Sequence, residues 1–313
     1  MSPSQETPRW VLVAVLLAMG ASWAVTIPLA KIAVSEGYRH LGIIFWQLVL
    51  GALFLGGLNL MRGKGLPVTR PQLLFYVVIA MVGTILPNMA SYQSAIYLPA
   101  GILSIVIALV PMFAFPLALA MGTDQFSWAK LAGLCFGLIG VLLLVGPEAS
   151  LPERWMVWVI PLAMLGPIFY AFEANLVAKW GTFKLDAIQV PFGASVVGAL
   201  LTGPVALASG HFINPLPPYG NPDFAVMGIA VLHAGPYAAY VWLVSRAGAV
   251  FAAQVAYLVT GFGVLWSMLL LGERYAGTVW LALGVMFLGL FLVQPRREAP
   301  VVPKAAMGDD QTV

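Results

Sequence analysis

The chain has 313 residues, of which 61% are hydrophobic and only 9% charged, with a mean hydropathy of +0.94. A soluble domain carries about 25% charged residues, so this composition excludes a water-facing globular surface and makes lipid the natural solvent. The net charge of +3 is spread one or two basic residues per loop and forms no patch for nucleic acid, while a single cysteine, Cys135, excludes a disulfide framework or a Cys/His metal cluster.

Ten stretches reach the roughly 20 apolar residues that a helix needs to cross a bilayer. They fall at 10–30, 41–61, 73–93, 99–120, 128–146, 155–178, 186–208, 224–244, 248–270 and 276–294. The first follows Arg9 and is longer than the ~7–15 apolar residues of a signal-peptide core, so it reads as a retained helix. Several links are short, such as 97–101 and 246–248. The loop from His211 to Asp223 holds Pro215, Pro217, Pro218 and Pro222 and reads as extended. Asp124 and Glu273 fall at helix ends, where capping the next helix explains them. The polar tail 296–313 reads as disordered. The expected fold is an all-α polytopic membrane protein of ten transmembrane helices.

Basic residues favour the cytoplasmic side of a membrane. With the N-terminus inside, that side receives Arg9, Arg62, Lys64, Arg70, Lys130, Lys179, Lys184, Arg246, Arg296, Arg297 and Lys304, eleven of the 15 Lys and Arg. Lys31, Arg39, Arg154 and Arg274 fall outside. This bias places both termini in the cytoplasm of a cell whose inner (plasma) membrane the chain crosses many times.

The two halves match at a nearly constant offset. Gly51-Ala52-Leu53 returns as Gly198-Ala199-Leu200, Lys31 as Lys179, Pro87 as Pro236, Leu109-Val110 as Leu258-Val259, Asp124 as Glu273 and Gly140 as Gly289. Each half holds five spans, an odd number, so the second half is expected upside down relative to the first. The expected units are 1–150 and 151–295, two inverted five-helix repeats, followed by the tail 296–313. Inverted repeats of this kind build secondary transporters, with a site near the midplane.

The sequence resembles the EamA-type transporters of the drug/metabolite transporter superfamily. The closest match is Leu271-Gly272-Glu273-Arg274 followed by the glycine-rich span 281–293; Gly122-Thr123-Asp124 and 131–145 answer it in the first half, and Pro111 falls where the family often carries proline. The sequence departs from the pattern at Phe45-Trp46-Gln47, where the family often has arginine, and at Thr260, where it often has proline. The resemblance implies a carrier of amino acids, other metabolites or drugs, most often in the direction of export.

Polar groups inside the lipid are costly and tend to face a cavity or a partner. Glu173 is the acidic residue deepest in any span, suited to a proton or a substrate amine or, structurally, to a hydrogen bond with a neighbouring helix; Asn175 should lie on the opposite side of the same helix. His233, Tyr237 and Tyr240 share a helix face. Pro236 and its counterpart Pro87 are expected helix breaks, and Asn88, Ser91 and Tyr92 stand beside Pro87. Trp23, Gln47, and the pair Gln254 and Tyr257 complete the candidates for substrate binding or coupling. Packing alone also accounts for a lone intramembrane tryptophan or an aromatic stripe. Gly133, Gly137, Gly140, Gly284 and Gly289 permit close helix contact within a monomer or in a homodimer.

Phosphate loops, nucleophile elbows and metal-ligand spacings are absent from the sequence, so neither enzyme chemistry nor a cofactor or metal is expected. The leading expectation is a secondary carrier whose partners are a small polar metabolite such as an amino acid, the lipid bilayer and a coupling proton. Efflux of drugs or import by the same fold stands beside it, as do a membrane-embedded enzyme and an assembly subunit.

Overall fold

The computed structural model describes residues 7–145, 151–247 and 255–293. Backbone N–H and C=O groups in hydrocarbon have no water to bond, so apolar segments satisfy them internally as helices. Among the described residues ten helical rods form and no strand. They are α1 Arg9–Ser35, α2 His40–Met61, α3 Arg70–Tyr97, α4 Ala100–Met121, α5 Trp128–Val145, α6 Arg154–Trp180, α7 Gln189–Ala208, α8 Asn221–Ala247, α9 Val255–Leu271 and α10 Gly277–Val293. Of these, α1, α2, α3, α4, α6 and α7 are long and apolar enough to cross a membrane, and α5, α9 and α10 are shorter apolar helices. Exposed apolar side chains such as Leu53, Leu142, Leu200 and Phe291 give the bundle a lipid-compatible perimeter. The tail 296–313 and Gln254 lie outside the described residues, as does part of the link between α5 and α6.

Helix ends differ from the hydropathy pattern where polar chemistry sets them. α3 starts at Arg70 because Thr69 and Gln72 form a capping box, with Gln72 Oε1 accepting from the Thr69 N–H at 3.2 Å. It runs through the polar stretch Asn88 to Ser94 to Tyr97, past the expected limit at 93.

Two of the rods are broken beside a proline. In α3 a π-turn, Met81–Ile85, stands just ahead of Pro87, and the Leu86 N–H reaches back to the Met81 carbonyl. In α4 the bonds from Ala108 to Ile105 and from Leu109 to Val106 tighten the chain into a turn ahead of Pro111. The corresponding part of α9 has Thr260, whose hydroxyl bonds the Ala256 carbonyl, and that helix is unbroken. Pro236, expected to interrupt α8, sits in continuous helix. One turn earlier, the His233 carbonyl accepts the Trp23 indole N–H at 3.2 Å.

Contacts between helix ends fix the direction of each rod. Lys31, near the end of α1, bonds carbonyls at the end of α3, so these two run the same way. Tyr38, just after α1, bonds Asp223 at the start of α8, and Arg246, at the end of α8, bonds Thr7; α1 and α8 are antiparallel. Tyr97 closes α3 and packs edge-on against Trp155 at the start of α6, so α6 runs against α3 and therefore against α1. Arg62 and Lys64, after α2, pair with Asp186 ahead of α7. Glu273, after α9, bonds the first N–H groups of α4. Gly140 meets Met286 while Gly289 meets Gly133, so α5 and α10 are antiparallel too. Each helix of the first five thus opposes the one five places on. The packing obeys the same exchange: α1 rests on α8 and α9, α6 on α3 and α4, α2 on α7 and α8, α7 on α2 and α3, and α5 on α10.

Directions also sort the charges. Arg9, Arg62, Lys64, Arg70, Lys130, Lys179, Lys184 and Arg246 gather at the end of the bundle where α1 begins, here the near end; Lys31, Arg39, Arg154 and Arg274 lie at the far end. Partial burial would raise the Asp186 carboxyl, but bonds from Lys64, the Gln189 N–H, Arg62 and the Ile188 N–H outweigh it and hold Asp186 well below the ordinary carboxylate range.

The glycines of α5 and α10 are not equivalent. A side chain at Gly137 would meet Met112, and one at Gly140 would meet Met286. A Cβ at Gly289 would stand 2.7 Å from the Gly133 carbonyl and 2.8 Å from Met112, whereas Gly284 has nothing within 4 Å. Gly289→Ala should therefore destabilise the protein by about 1–3 kcal/mol through overpacking. Thermal unfolding of the detergent-purified variants should show a lowered midpoint for Gly289→Ala and none for Gly284→Ala; equal effects would refute this assignment of the α5–α10 contact.

Candidate functional site

Because the two helix sets meet along broken or glycine-bearing segments, they leave space between them. A cavity of about 740 Å³ lies there, walled by Trp23 and Thr26 of α1, Gln47 and Gly51 of α2, Gly83 and Thr84 of α3, Pro111 of α4, Tyr170 and Glu173 of α6, Ser195 of α7, His233, Tyr237 and Tyr240 of α8, and Val255 and Val259 of α9.

Glu173 is placed by the irregular part of α3. The π-turn presents Gly83 to α6, and a Cβ on Gly83 would collide with the Glu173 carboxylate. The acid occupies room that only glycine leaves. The ion pairs among the described residues are Arg62 and Lys64 with Asp186, and Lys130 with Asp124. None reaches Glu173, and its carboxylate accepts no hydrogen bond from the described residues. It is a free acceptor facing a cavity.

Aromatic rings stand opposite. Trp23 meets Tyr237 edge-on at 6.5 Å between centroids and Tyr240 at 6.0 Å. Helical spacing carries His233, Tyr237 and Tyr240 down one face of α8, and the bond from Trp23 to the His233 carbonyl ties that face to α1. Three rings beside one carboxylate suit an organic cation, which the ring faces and the acid both attract.

From the wall inward runs a polar chain. Tyr170 donates to Asn88 Oδ1 at 3.0 Å, Asn88 Nδ2 donates to Gln47 Oε1 at 3.3 Å, and Tyr92 donates to the same oxygen at 2.6 Å. It joins α6, α3 and α2. Asn88 and Tyr92 border a smaller space of about 80 Å³ that adjoins the cavity, together with Ser91, Thr26, Tyr170 and His233.

The structure thus brings Trp23, Glu173, His233, Tyr237 and Tyr240 to one cavity and sets Asn88 and Tyr92 just behind it. Tyr257 is a correction. Its ring packs on Phe287 of α10 at 5.8 Å, and its buried hydroxyl has no partner among the described residues. Val255, Ala256 and Val259 are the α9 residues on the cavity wall, and Tyr257 is turned from them by the helical step of roughly 100° per residue. Gln254 lies outside the described residues. Asn175 is a second correction: it borders the same cavity as Glu173 because the space wraps round α6. Its amide is occupied, donating to the Ala114 and Ala171 carbonyls at 3.1 and 2.9 Å and accepting from Thr123. Tyr170 was not singled out by sequence, although it precedes Glu173 by one helical turn on the same face, a spacing that could have flagged it.

The two ends of the cavity differ. Toward the near end its wall continues to Thr123, Asp124 and Lys130. Partial burial opposes ionisation of Asp124, but Lys130 and the Gln125 N–H outweigh it and keep the carboxyl below its ordinary value. At the far end the turn between α3 and α4 is clamped. The Lys31 ammonium donates to the Ala95, Ile96 and Leu98 carbonyls at 2.6, 3.3 and 3.1 Å. The Glu273 carboxylate accepts from the Ala100 and Gly101 N–H groups at 2.8 and 3.1 Å, and Tyr275 bonds both Glu273 and Gly101. Glu273 therefore caps α4, from the other repeat, instead of the helix that follows it in sequence.

Apolar helices in two counter-running sets, enclosing an aromatic cavity with one free acid, define a polytopic membrane carrier. The model of the EamA-like transporter family matches residues 9–146 and again 157–294, and the chain belongs to that family. It is a multi-pass membrane transporter of a small molecule and not an enzyme. The uncharacterized inner membrane transporter YedA of Escherichia coli K12 is 27% identical over 293 residues, 89% of each chain. A probable terminal-alkyne amino-acid exporter of Streptantibioticus cattleyicolor is 23% identical over 302 residues, 93% of this chain and 96% of that one. A solved crystal structure that is 15% identical superposes with a TM-score of 0.63 over 91% of this chain and 96% of its own, which shows the fold alone.

The geometry predicts a cavity wetted from one end. In a Cys135→Ser background, Ser195→Cys and Ala234→Cys on the wall should react with a membrane-impermeant thiol reagent supplied on the side of the N-terminus, while Ser104→Cys, a position that is 0% exposed, should not. Equal labelling from both sides would contradict it.

Proposed function

We propose that the protein exports a small amine-bearing metabolite, such as an amino acid, by alternating access, with Glu173 as the group that holds either the amine or a coupling proton. The observation that carries this reading is the Glu173 carboxylate on the wall of the central cavity, unpaired among the described residues. An acid there is stabilised by an ammonium group or neutralised by a proton, and one group serving both in turn exchanges the two. Trp23, Tyr237 and Tyr240 would hold the apolar part of the substrate and add cation–π attraction. His233 supplies a further polar contact, and Asn88 and Tyr92 support the wall.

The direction rests on charge. The near end carries most of the basic residues, which favours the cytoplasm for that end and for both termini. The cavity reaches that same end, so it would load from inside the cell. The clamp of Lys31 and Glu273 on the α3–α4 turn would close the outer path in this state. Movement of 151–295 against 1–150 would withdraw the Glu273 cap from α4, and a shift of α1 along α3 would release Lys31, so that the outer path opens. The name of the Streptantibioticus relative, a probable terminal-alkyne amino-acid exporter, supports the same direction and substrate class.

Glu173→Gln should reduce transport at least about tenfold, as expected for loss of a charge-assisted contact of roughly 1.5–3 kcal/mol. Flux of radiolabelled amino acids into and out of proteoliposomes at several pH values measures it, with thermal unfolding confirming the fold. Wild-type flux and wild-type pH dependence in Glu173→Gln would remove the residue from the mechanism.

A further inference from the structure

Gln47 borders the cavity with 3% of its surface exposed, and its side-chain oxygen is already committed. Oε1 accepts from Tyr92 and from Asn88, and Asn88 is held the same way round because its own oxygen accepts from Tyr170. Tyr92 and Tyr170 have no other partner among the described residues for their hydroxyls. Turning both amides over would set each phenol hydrogen against an NH₂ group and leave it without an acceptor, a cost that buried hydroxyls avoid. The chain therefore runs in one direction, from the two phenols to the Gln47 amide.

That direction leaves Gln47 Nε2 as the open end. It makes no bond within the described residues, yet it is not among the sealed polar atoms that lack a partner. The cavity is what reaches it. α3 lies against both groups, touching Gln47 through Asn88 and Glu173 through Gly83, and both line the same cavity. The cavity thus presents an acceptor at Glu173 and, on the adjoining wall, a donor whose polarity the buried chain has fixed.

We infer that Gln47 is a specificity-determining residue: it selects substrates that carry a carboxylate or carbonyl oxygen beside their amine. The inference rests on the reading of Glu173 as the amine anchor. An amine without such an oxygen leaves the Gln47 N–H groups stripped of water and unpaired. A second ammonium group would face donors instead of acceptors.

The experiment uses purified full-length protein and matched probe pairs, phenylalanine with phenethylamine and leucine with isoamylamine, read as thermal shifts across concentration. Wild-type protein should favour the amino acid of at least one pair by about tenfold or more in half-saturating concentration. Gln47→Met keeps the length and offers Tyr92 a weak sulfur acceptor but gives the cavity no donor. It should abolish the preference while still binding the amine. Tyr92→Phe frees the Gln47 amide to turn and should weaken the same preference; it decides the matter by that ratio if Gln47→Met does not fold. Wild-type protein that binds both members of each pair alike, or a variant that keeps the wild-type ratio, overturns this inference alone. Wild-type protein that responds to no probe overturns the amine-anchor reading and this inference with it.

Discussion

An acidic side chain midway along a lipid-embedded helix costs roughly 3 kcal/mol unless water or a counter-charge reaches it. Glu173 meets that constraint without an ion pair, since the paired cations of the described residues are bound to Asp186 and Asp124. What it has is space. The π-turn of α3, the absent side chain at Gly83 and the proline that follows are each unfavourable in an ordinary helix, and together they open the wall in front of the carboxylate. α1 and α8, joined through Trp23 and the His233 carbonyl, bring aromatic rings to the other side.

Residues that correspond between the two repeats do different things at the two ends. Lys31 spans the carbonyls at the end of α3, while its counterpart Lys179 bonds the Met121 carbonyl at the end of α4. Glu273 caps the start of α4, while its counterpart Asp124 turns to Lys130 and the Gln125 N–H. A repeated sequence with unequal bonding is what the proposed cycle needs: corresponding side chains serve opposite ends, and in this structure the far end is the one they clamp. In the proposed cycle the far-end clamp is the contact that must be given up, and its several charge-assisted bonds make closure at that end definite.

Much of this architecture was legible in sequence, because span length and the near-constant offset between halves survive in any apolar composition. Glu173 and His233 were legible because ionisable groups inside lipid are rare enough to count. Spacing along α8 correctly joined His233 to Tyr237 and Tyr240. Interactions between helices left no such trace. Nothing local to Tyr257 shows that its side of α9 meets Phe287, and nothing near Gln47 announces two partners drawn from α3. Glu273 was expected to cap its neighbour in sequence, yet the N–H groups within its reach belong to α4. The glycines show the same limit: Gly284 and Gly289 look alike in sequence, and only the helix lying across from them separates an open position from a close contact.

The most direct test is chemical modification of the acid itself. A hydrophobic carbodiimide couples to protonated carboxyl groups in apolar surroundings, and mass spectrometry of the purified protein locates the adduct. The account predicts modification at Glu173 and its suppression by an amino acid or amine that the protein binds. A Glu173 that stays unmodified, or is modified equally whether or not such a compound is bound, would contradict the claim that a free carboxylate in the central cavity holds the substrate.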